Sequence, residues 1–453
     1  IDFCGAFMRA GIITTPYWWE AAPPAEAAPA EWQSRADVVI IGGGFTGFGA
    51  AIPLARAGLS VVIVEKDKIG AGASTRNGGI TSGNLRHSYD QLAKKFGPEK
   101  AAKFYQEAHA ARQDLINFIS DEHIDCDLQL CGRFVGATKP HALANMQREA
   151  ENLSKAIGVA PILYDKAGVA AHIDSDKYCG GVWRDDIGGI HPAKLLAEMH
   201  RIAASAGVLV FTGVAVSSLR RIDAGADASF TVDTTKGPIT AGHVITATNA
   251  YSDSGVPWLR RRLVPVISEM IATEELGENR VRSLMPSKSM YSESLQLGHY
   301  FRPSPDGKRI LLGGRRMDAD PAKAAERLRA GLVTILPDLA DCAITHHWFG
   351  FVAFPFDQLP KLTVHDGVIY PAGYCGSGTV WARWLGQKAA QMVLADLAGS
   401  AVPRPKPAHS VSSDSVFADL PFRSMPFYSG EPWFLPIAMR FYALKDKMAD
   451  LKT

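Results

Sequence analysis

The feature that most constrains this chain is a glycine fingerprint set between two apolar runs. Asp37-Val-Val-Ile-Ile41 leads into Gly42-x-Gly44-x-x-Gly47, a helical stretch follows to Ala57 with Gly58 as its stop, and Val61-Val-Ile-Val64 forms a second short run. The pattern predicts a β-α-β unit. Its glycines permit a tight turn, let backbone approach a pyrophosphate and allow close helix–strand packing, while the helix N-terminus faces the phosphates. Glu65 stands 18 residues beyond Gly47 at the end of the second run, where a carboxylate accepts hydrogen bonds from ribose hydroxyls. The alternative, a glycine-rich turn with no ligand, would not require strand, helix, second strand and acid in that order.

The 453 residues correspond to roughly three domains' worth of chain. Lys plus Arg number 48 and Asp plus Glu 46, a balance of +2 that lacks the basic excess of a nucleic-acid binder. No apolar run approaches the ~18 residues of a membrane span. Six cysteines (Cys4, Cys126, Cys131, Cys179, Cys342, Cys375) are too sparse for a disulfide framework and have no zinc-site spacing. These features lead to the expectation of a cytoplasmic protein with no metal site. The chain starts at Ile1 rather than Met, Ile1–Thr15 shows no clear cleavage site, and no signal peptide is assigned.

Beyond an Ala/Pro-rich stretch from Glu20 to Ala30, the fold is expected to begin near Ala36. Helical periodicity covers Ala93–Ser120 and Pro140–Ile157, whereas Asp125–Gly136 alternates like a strand pair around Cys131-Gly132. A helix over Pro192–Ala206 and a strand over Val208–Phe211 come next. Three β-rich runs between Val214 and Thr248, separated by Ala224–Asp227 and Lys236-Gly237, predict a meander. Tyr300–Gly314 reads as a hairpin turning at Asp306-Gly307. The strand Val368–Tyr370 leads into Gly373-Tyr-Cys-Gly-Ser-Gly378 and a helix to about Leu397, and a final helix spans Pro436–Leu451.

The later motifs decide which dinucleotide is bound. They include Tyr17-Trp18-Trp19, Arg76-Asn77-Gly78-Gly79, Gly189-Ile190-His191-Pro192, Ala247-Thr248-Asn249-Ala250, Arg302-Pro303 with Asp306-Gly307, Gly313-Gly314, Trp348-x-Gly350, Asp357-x-x-Pro360, Gly373-Tyr374-x-Gly376-x-Gly378 and the tail Pro432-Trp-Phe-Leu-Pro436 with Tyr442 and Asp446. In this order they resemble the FAD-dependent oxidoreductases of the D-amino-acid-oxidase type, and are most similar to the gamma-glutamylputrescine-oxidase branch. The resemblance covers nearly the whole chain. It implies an α/β (α+β) fold: a Rossmann-like FAD-binding domain of the glutathione-reductase type, interleaved with a mixed-sheet substrate domain. The implied division is a leader (1–32), FAD-binding segments (33–120, 188–250, 352–402), substrate-domain segments (121–187, 251–351) and a C-terminal extension (403–453).

The same resemblance implies cofactor contacts at Gly42, Gly44, Phe45, Thr46 and Gly47 in the first turn, and at Glu65 and Lys66 after the second strand. Ser74, Thr75, Arg76, Asn77, Gly78, Gly79 and Ile80 would bring backbone amides to the pyrophosphate and flavin. Val216 would present backbone to the adenine, or be a plain core valine. Thr248, Asn249 and Gly350 complete the set with Gly373, Tyr374, Gly376, Ser377, Gly378 and Thr379, whose amides would face the flavin's pyrimidine edge. FAD is expected to be non-covalent, because Gly350–Pro360 has no Cys and the Arg76-Asn77 loop has no His at the tethering position of related branches.

For the substrate, Tyr300, Arg302 and His299 are the candidate catalytic residues. Arg302 either holds a carboxylate bidentately or is a strand arginine paired with Asp306. Adjacent in a strand, His299 and Tyr300 point to opposite faces, so at most one of them faces the flavin; Tyr291 is a further candidate wall. His191 is either a family-like site residue or a helix cap, and Trp183, Trp348 and Phe351 either shape a pocket or fill the core. Cys126 and Cys131 fall on opposite faces and are not expected to form a redox pair. Cys375 lies near the flavin or is simply buried.

The expected reaction is oxidation of a primary or secondary (including N-methyl) amine to an imine by hydride transfer to flavin. Hydrolysis to aldehyde or ketone plus amine follows, and O2 is reduced to H2O2. A Leu at position 311, where sarcosine oxidases carry Lys, leaves O2 in competition with another electron acceptor. The alternatives are an amino-acid or imino-acid dehydrogenase serving a quinone or carrier protein, and a non-catalytic FAD-binding subunit. The apolar tail helix, with Phe434, Leu435, Ile437, Met439, Phe441, Tyr442 and Leu444, is expected to pack on its own domain or on a second copy in a homo-oligomer.

Overall fold

Strand β1 (Arg35–Ile41) buries nearly every side chain, the pattern of a parallel strand covered on both faces. In the computed structural model, which describes residues 11–222, 229–317, 320–399, 415–418 and 420–450, it is the centre of the first of two eight-stranded sheets. In chain order the elements are β1, α1 (Phe45–Arg56), β2 (Val61–Val64), α2 (Tyr89–Phe96), α3 (Pro98–Asp121), β3 (Arg133–Ala137), α4 (Pro140–Ile157), β4 (Ile162–Asp165), β5 (Gly180–Arg184), α5 (Pro192–Ser205) and β6 (Leu209–Phe211). There follow β7 (Val216–Ile222), β8 (Ser229–Thr234), β9 (Gly237–Thr246), α6 (Pro257–Arg260), β10 (Leu263–Thr273), α7 (Glu278–Leu284), β11 (Met290–Glu293), β12 (Tyr300–Pro303) and β13 (Ile310–Arg315). The last are α8 (Pro321–Ile335), β14 (Ile344–Pro355), β15 (Lys361–His365), β16 (Val368–Ala372), α9 (Gly378–Gly399) and α10 (Leu435–Asp450).

The first sheet runs β15-β16-β9-β1-β2-β6, with β7 and β8 attached through β9. β1 is parallel to both β2 and β9, so the chain crosses over on either side of it. A crevice therefore opens beyond its carboxyl end, the usual ligand position in such sheets. Two helices aim their N-termini there, α1 and α9. They approach closely because Gly49 and Gly386 lack side chains: a β-carbon would lie 2.7 Å from Arg383 O at the first and 2.3 Å from Thr46 O at the second.

The second sheet runs β14-β10-β13-β12-β11-β3-β5-β4, antiparallel except between β11 and β3. Register gives it two distinct faces. The outer face carries Ile271, Tyr291, Phe301 and Leu312 against Leu328 and Leu332 of α8. The inner face, turned toward the first sheet's crevice, carries Ser268, Met270, Tyr300, Arg302, Leu311, Gly313, Arg315 and Trp348.

Three readings of the sequence are corrected. The helix expected over Ala93–Ser120 is two helices, broken at Gly97 (φ +86°) with Pro98 opening the second. Of the strand pair expected over Asp125–Gly136, only β3 forms; the first half makes a single bridge, Gln129 to Gly189, before Gly132 turns the chain at φ +77°. Arg302 does not face solvent beside Asp306: it is buried, and Asp306 accepts a hydrogen bond from Ser304 at 2.5 Å instead. The meander turn at Ala224–Asp227 and Cys4 lie outside the described residues. Among those residues no helix is long and apolar enough to cross a membrane.

The tail helix α10 exposes Ile437, Phe441 and Leu444, while Phe434 and Leu435 just ahead of them pack on Val264, Val266 and Tyr428. Asp446 accepts hydrogen bonds from the backbone N–H groups of Gln296 and Leu297, both at 3.0 Å, in the connection between β11 and β12.

Candidate functional site

The turn from β1 into α1 is shaped by close contacts. Gly42 adopts φ +109°, and a β-carbon on Gly47 would lie 2.0 Å from Gly42 O, so α1 can begin this close to β1 only with glycine there. A side chain at Gly44 would meet Ser74 Oγ at 2.8 Å. Ser74 Oγ instead accepts from Phe45 N–H at 3.0 Å, and Glu65 accepts from Gly43 N–H at 2.7 Å and from Asp67 N–H at 3.0 Å. The glycine turn, the carboxylate and the Ser74 loop therefore form one hydrogen-bonded rim.

This rim bounds a cleft of about 1300 Å³ empty volume, its open mouth included. Gly42, Gly44, Phe45, Thr46, Glu65, Lys66, Ser74 and Asn77 line one side of it, and Val216, Thr248, Asn249, Tyr374, Gly376, Gly378 and Thr379 line the other. Lys66 reaches Asp253 at 3.4 Å at its edge. Asn249 (φ +45°) accepts from Gly373 N–H at 2.9 Å, and Thr46 Oγ1 lies 2.7 Å from Tyr374 OH, so β9, the turn before α9 and α1 are tied together.

A second cavity, about 1020 Å³ with its mouth, opens from the α9 end of the first. Seven residues line both: Ala73, Asn77, Phe351, Val352, Cys375, Gly376 and Thr379. Arg76, Gly78, Ile80, Gly350 and Ser377 line the second alone. Its floor is the inner face of the second sheet. The Tyr300 ring lies on Gly313, where a β-carbon would come within 2.3 Å of it, and its hydroxyl is 3.1 Å from Ser268 Oγ. Ser268 Oγ also donates to Gly314 O at 3.1 Å, so Tyr300 O–H donates to Ser268 and keeps its lone pairs for the cavity. Burial raises the Tyr300 phenol and pushes the Cys375 thiol up to about 12.

The loop between the cavities is held by three indoles. Trp18 Nε1 donates to Asn77 O at 2.8 Å, Trp19 Nε1 to Thr75 Oγ1 at 2.9 Å and Trp348 Nε1 to Arg76 O at 3.0 Å. Arg76 stacks over Trp19 at 4.6 Å and donates to Ala71 O and Phe349 O. The two leader tryptophans are thus built into the site from outside both sheets.

Several expected site residues stand elsewhere. His299 is on the outer face, hydrogen-bonded through Nδ1 to Glu293 at 2.8 Å, because it precedes Tyr300 in the strand. Arg302 shares the inner face with Tyr300 but lines neither cavity; it donates to Gly79 O at 3.2 Å, Ile190 O at 2.8 Å and Pro303 O at 3.0 Å, beneath the loop. Thr75 is buried and donates to Gly70 O. Gly47, Gly79 and Gly373 act through packing: β-carbons at the last two would lie 2.3 Å from Ile190 O and Pro355 Cγ. His191 caps α5, accepting from Lys194 N–H at 3.1 Å; Tyr291 and Trp183 lie away from the cavities, bonded to His172 O and Ser289. Sequence reasoning did not single out Arg86, Arg133, Ser268 and Arg315, which line the second cavity.

The cleft fits FAD: a glycine turn and two helix N-termini for the pyrophosphate, Glu65 for a ribose, and backbone-lined room at the α9 turn for a flat ring system. Residues 37–392 match the protein family described as FAD dependent oxidoreductase.

The chain belongs to this family.

This FAD dependent oxidoreductase is 29% identical over 419 residues to the gamma-glutamylputrescine oxidoreductase of Escherichia coli, covering 91% of this chain and 93% of that one. It is 31% identical over 383 residues to the probable oxidoreductase OrdL of Rhizobium meliloti (83% and 88% covered). Among solved structures it is similar to glycine oxidase from Geobacillus kaustophilus, with a TM-score of 0.65 at 22% identity, covering 81% of this chain and 95% of that one. That likeness supports the fold of this FAD dependent oxidoreductase.

Proposed function

We propose that the protein oxidises the carbon next to a primary or secondary amine nitrogen, giving an imine that hydrolyses to a carbonyl compound and an amine. Bound FAD supplies the two-electron acceptor for this step. The observation that carries the reading is the second cavity, which opens from the α9 end of the cleft and is lined by no Asp, Glu, His or Lys among the described residues. Its two weakly acidic groups, Tyr300 and Cys375, are both held protonated by burial. No side chain there takes a proton at neutral pH. This suits a reaction whose substrate enters as the free amine and gives up a hydride without a protein base.

The protein's part is then to orient the substrate and keep its nitrogen neutral. The free lone pairs of Tyr300 accept an amine N–H, and the Arg side chains lining the cavity disfavour an ammonium in their midst. FAD is held without a covalent bond in this reading: Cys375, the cysteine shared by both cavities, has Sγ 3.2 Å from Gly373 O and a thiol too weakly acidic to attack the ring. Electrons pass to O2 as H2O2, or to a carrier.

The test is anaerobic titration of the FAD-loaded protein with primary, secondary and N-methyl amines and with amino acids, following the visible flavin absorption. Bleaching by an amine supports the reading, and the rate of recovery on admitting air separates O2 from a carrier. A flavin left oxidised by every amine and amino acid overturns it.

A further inference from the structure

Trp18 and Trp348 do more than fasten the loop between the two cavities: the atoms they bond decide which way two of its peptides face. Trp348 Nε1 donates to Arg76 O at 3.0 Å, and Trp18 Nε1 to Asn77 O at 2.8 Å. Both indoles belong to one buried cluster with Met270 and Leu311, so both carbonyls point into that cluster. In a planar trans peptide the N–H of the following residue lies opposite the carbonyl. The N–H groups of Asn77 and Gly78 are therefore turned away from the indoles.

Neither of these two N–H groups has a hydrogen-bond partner among the described residues, whereas those on either side do. Arg76 N–H donates to Ala73 O at 3.2 Å and Gly79 N–H to Asn77 Oδ1 at 2.8 Å. The Asn77 side chain is fully engaged within the protein: Nδ2 donates to Ala73 O and Ser74 O, and Oδ1 also accepts from Thr379 Oγ1 at 3.2 Å. Gly78 is buried and pressed against the Tyr300 ring, where a β-carbon would lie 2.9 Å from Cε2. A buried N–H left unpaired costs about as much as a lost hydrogen bond, so two adjacent ones held in place by indoles point to an acceptor. Asn77 lines both cavities and Gly78 the second, which puts the pair where the cleft that fits FAD meets the cavity beyond it.

We infer that Trp18 and Trp348 are positioning residues for the flavin: by holding the Arg76 and Asn77 carbonyls they aim the Asn77 and Gly78 N–H groups at the polar edge of its ring, where negative charge gathers on reduction. The inference rests on FAD binding in the cleft and not on the amine reading. Donors fixed in this way favour the reduced ring over the oxidised one. Trp18 stands outside residues 37–392, which match the family, so the leader takes part in setting the flavin's potential.

The test is potentiometric, on the FAD-loaded protein without substrate. Trp18→Phe and Trp348→Phe each keep an aromatic ring and remove the N–H that orients one peptide. Each is expected to retain FAD and to lower the ratio of reduced to oxidised flavin at a fixed solution potential by roughly tenfold. Trp384→Phe is the packing control: this indole is also buried, donates to Glu107 at 2.8 Å and lines neither cavity, and its loss is expected to leave the ratio unchanged. A ratio unmoved in both Trp18→Phe and Trp348→Phe, or moved as far by Trp384→Phe, overturns the inference. Should the variants fail to retain FAD, the wild-type protein decides. Amide hydrogen exchange at Asn77 and Gly78 is expected to slow at least about tenfold when the apoprotein is loaded with FAD, and unchanged exchange there overturns the inference. If the ratio shifts as expected while no amine bleaches the flavin, the positioning stands and the amine reading fails.

Discussion

Glu65 and Arg302 show how the surroundings of a charged side chain decide what it does. Glu65 ends a parallel strand with its carboxylate at the cleft, already organising the Gly43 and Asp67 amides. Glu65→Ala removes this organisation together with the carboxylate proposed to meet the ribose, and is expected to raise the FAD dissociation constant roughly 10- to 100-fold in reconstitution titrations. An unchanged constant would exclude Glu65 from the ribose site. Arg302, by contrast, is turned inside the protein, where Nε and Nη1 meet three backbone carbonyls beneath the loop and Nη2 is buried with no hydrogen-bond partner, its pKa lowered to about 10 by burial and its charge retained. Arg302→Met removes this donor from Ile190 O and Pro303 O, while Gly79 O keeps the Ile190 N–H, and is expected to cost about 2–4 kcal/mol of stability in denaturant unfolding without weakening carboxylate binding. Lost carboxylate affinity at unchanged stability would restore Arg302 to the substrate.

At the level of elements, α5 is held by a neutral imidazole. His191 accepts from Lys194 N–H only while its Nδ1 is unprotonated, and burial holds its pKa down at about 4, below an ordinary 6.5. Between those values the unfolded chain binds a proton that the folded chain refuses, so stability falls as pH drops from about 6.5 toward 4. The variant His191→Asn keeps a cap acceptor without the titration. Its unfolding free energy is expected to vary less with pH over that window, and an identical slope would remove His191 from the account. Elements also explain what could be read from the sequence. The β1-α1-β2 unit and the Asp306-Gly307 hairpin were legible because each is contiguous and marked by glycines with positive φ or close contacts. Gly97-Pro98 was misread because apolar periodicity continues across the break. Arg133, Ser268 and Arg315 gave no local signal: each sits on a different strand, and only the order β10-β13-β12-β11-β3 brings them to one floor. Arg302, one alternation from Tyr300, looked equivalent in sequence and was separated from the cavity by the loop above it.

Across the whole molecule, the two sheets share labour: the carboxyl end of the first bounds the cleft that fits FAD, and the inner face of the second floors the cavity that opens from it. The Trp18, Trp19 and Trp348 indoles fix the loop between them, and α10 fixes the approach to Tyr300 through Asp446. Removing that carboxylate releases Gln296 and Leu297, a few residues from Tyr300. Asp446→Ala is therefore expected to retain full FAD content while KM for the substrate rises several-fold; equal loss of FAD, or an unaltered KM, would refute the coupling. The tether also sets an order of assembly. α10 follows every other described element in the chain, so on the ribosome it emerges after both sheets are available to fold. A nascent chain can complete its cofactor cleft while the wall beside Tyr300 still lacks the anchor that Asp446 gives it.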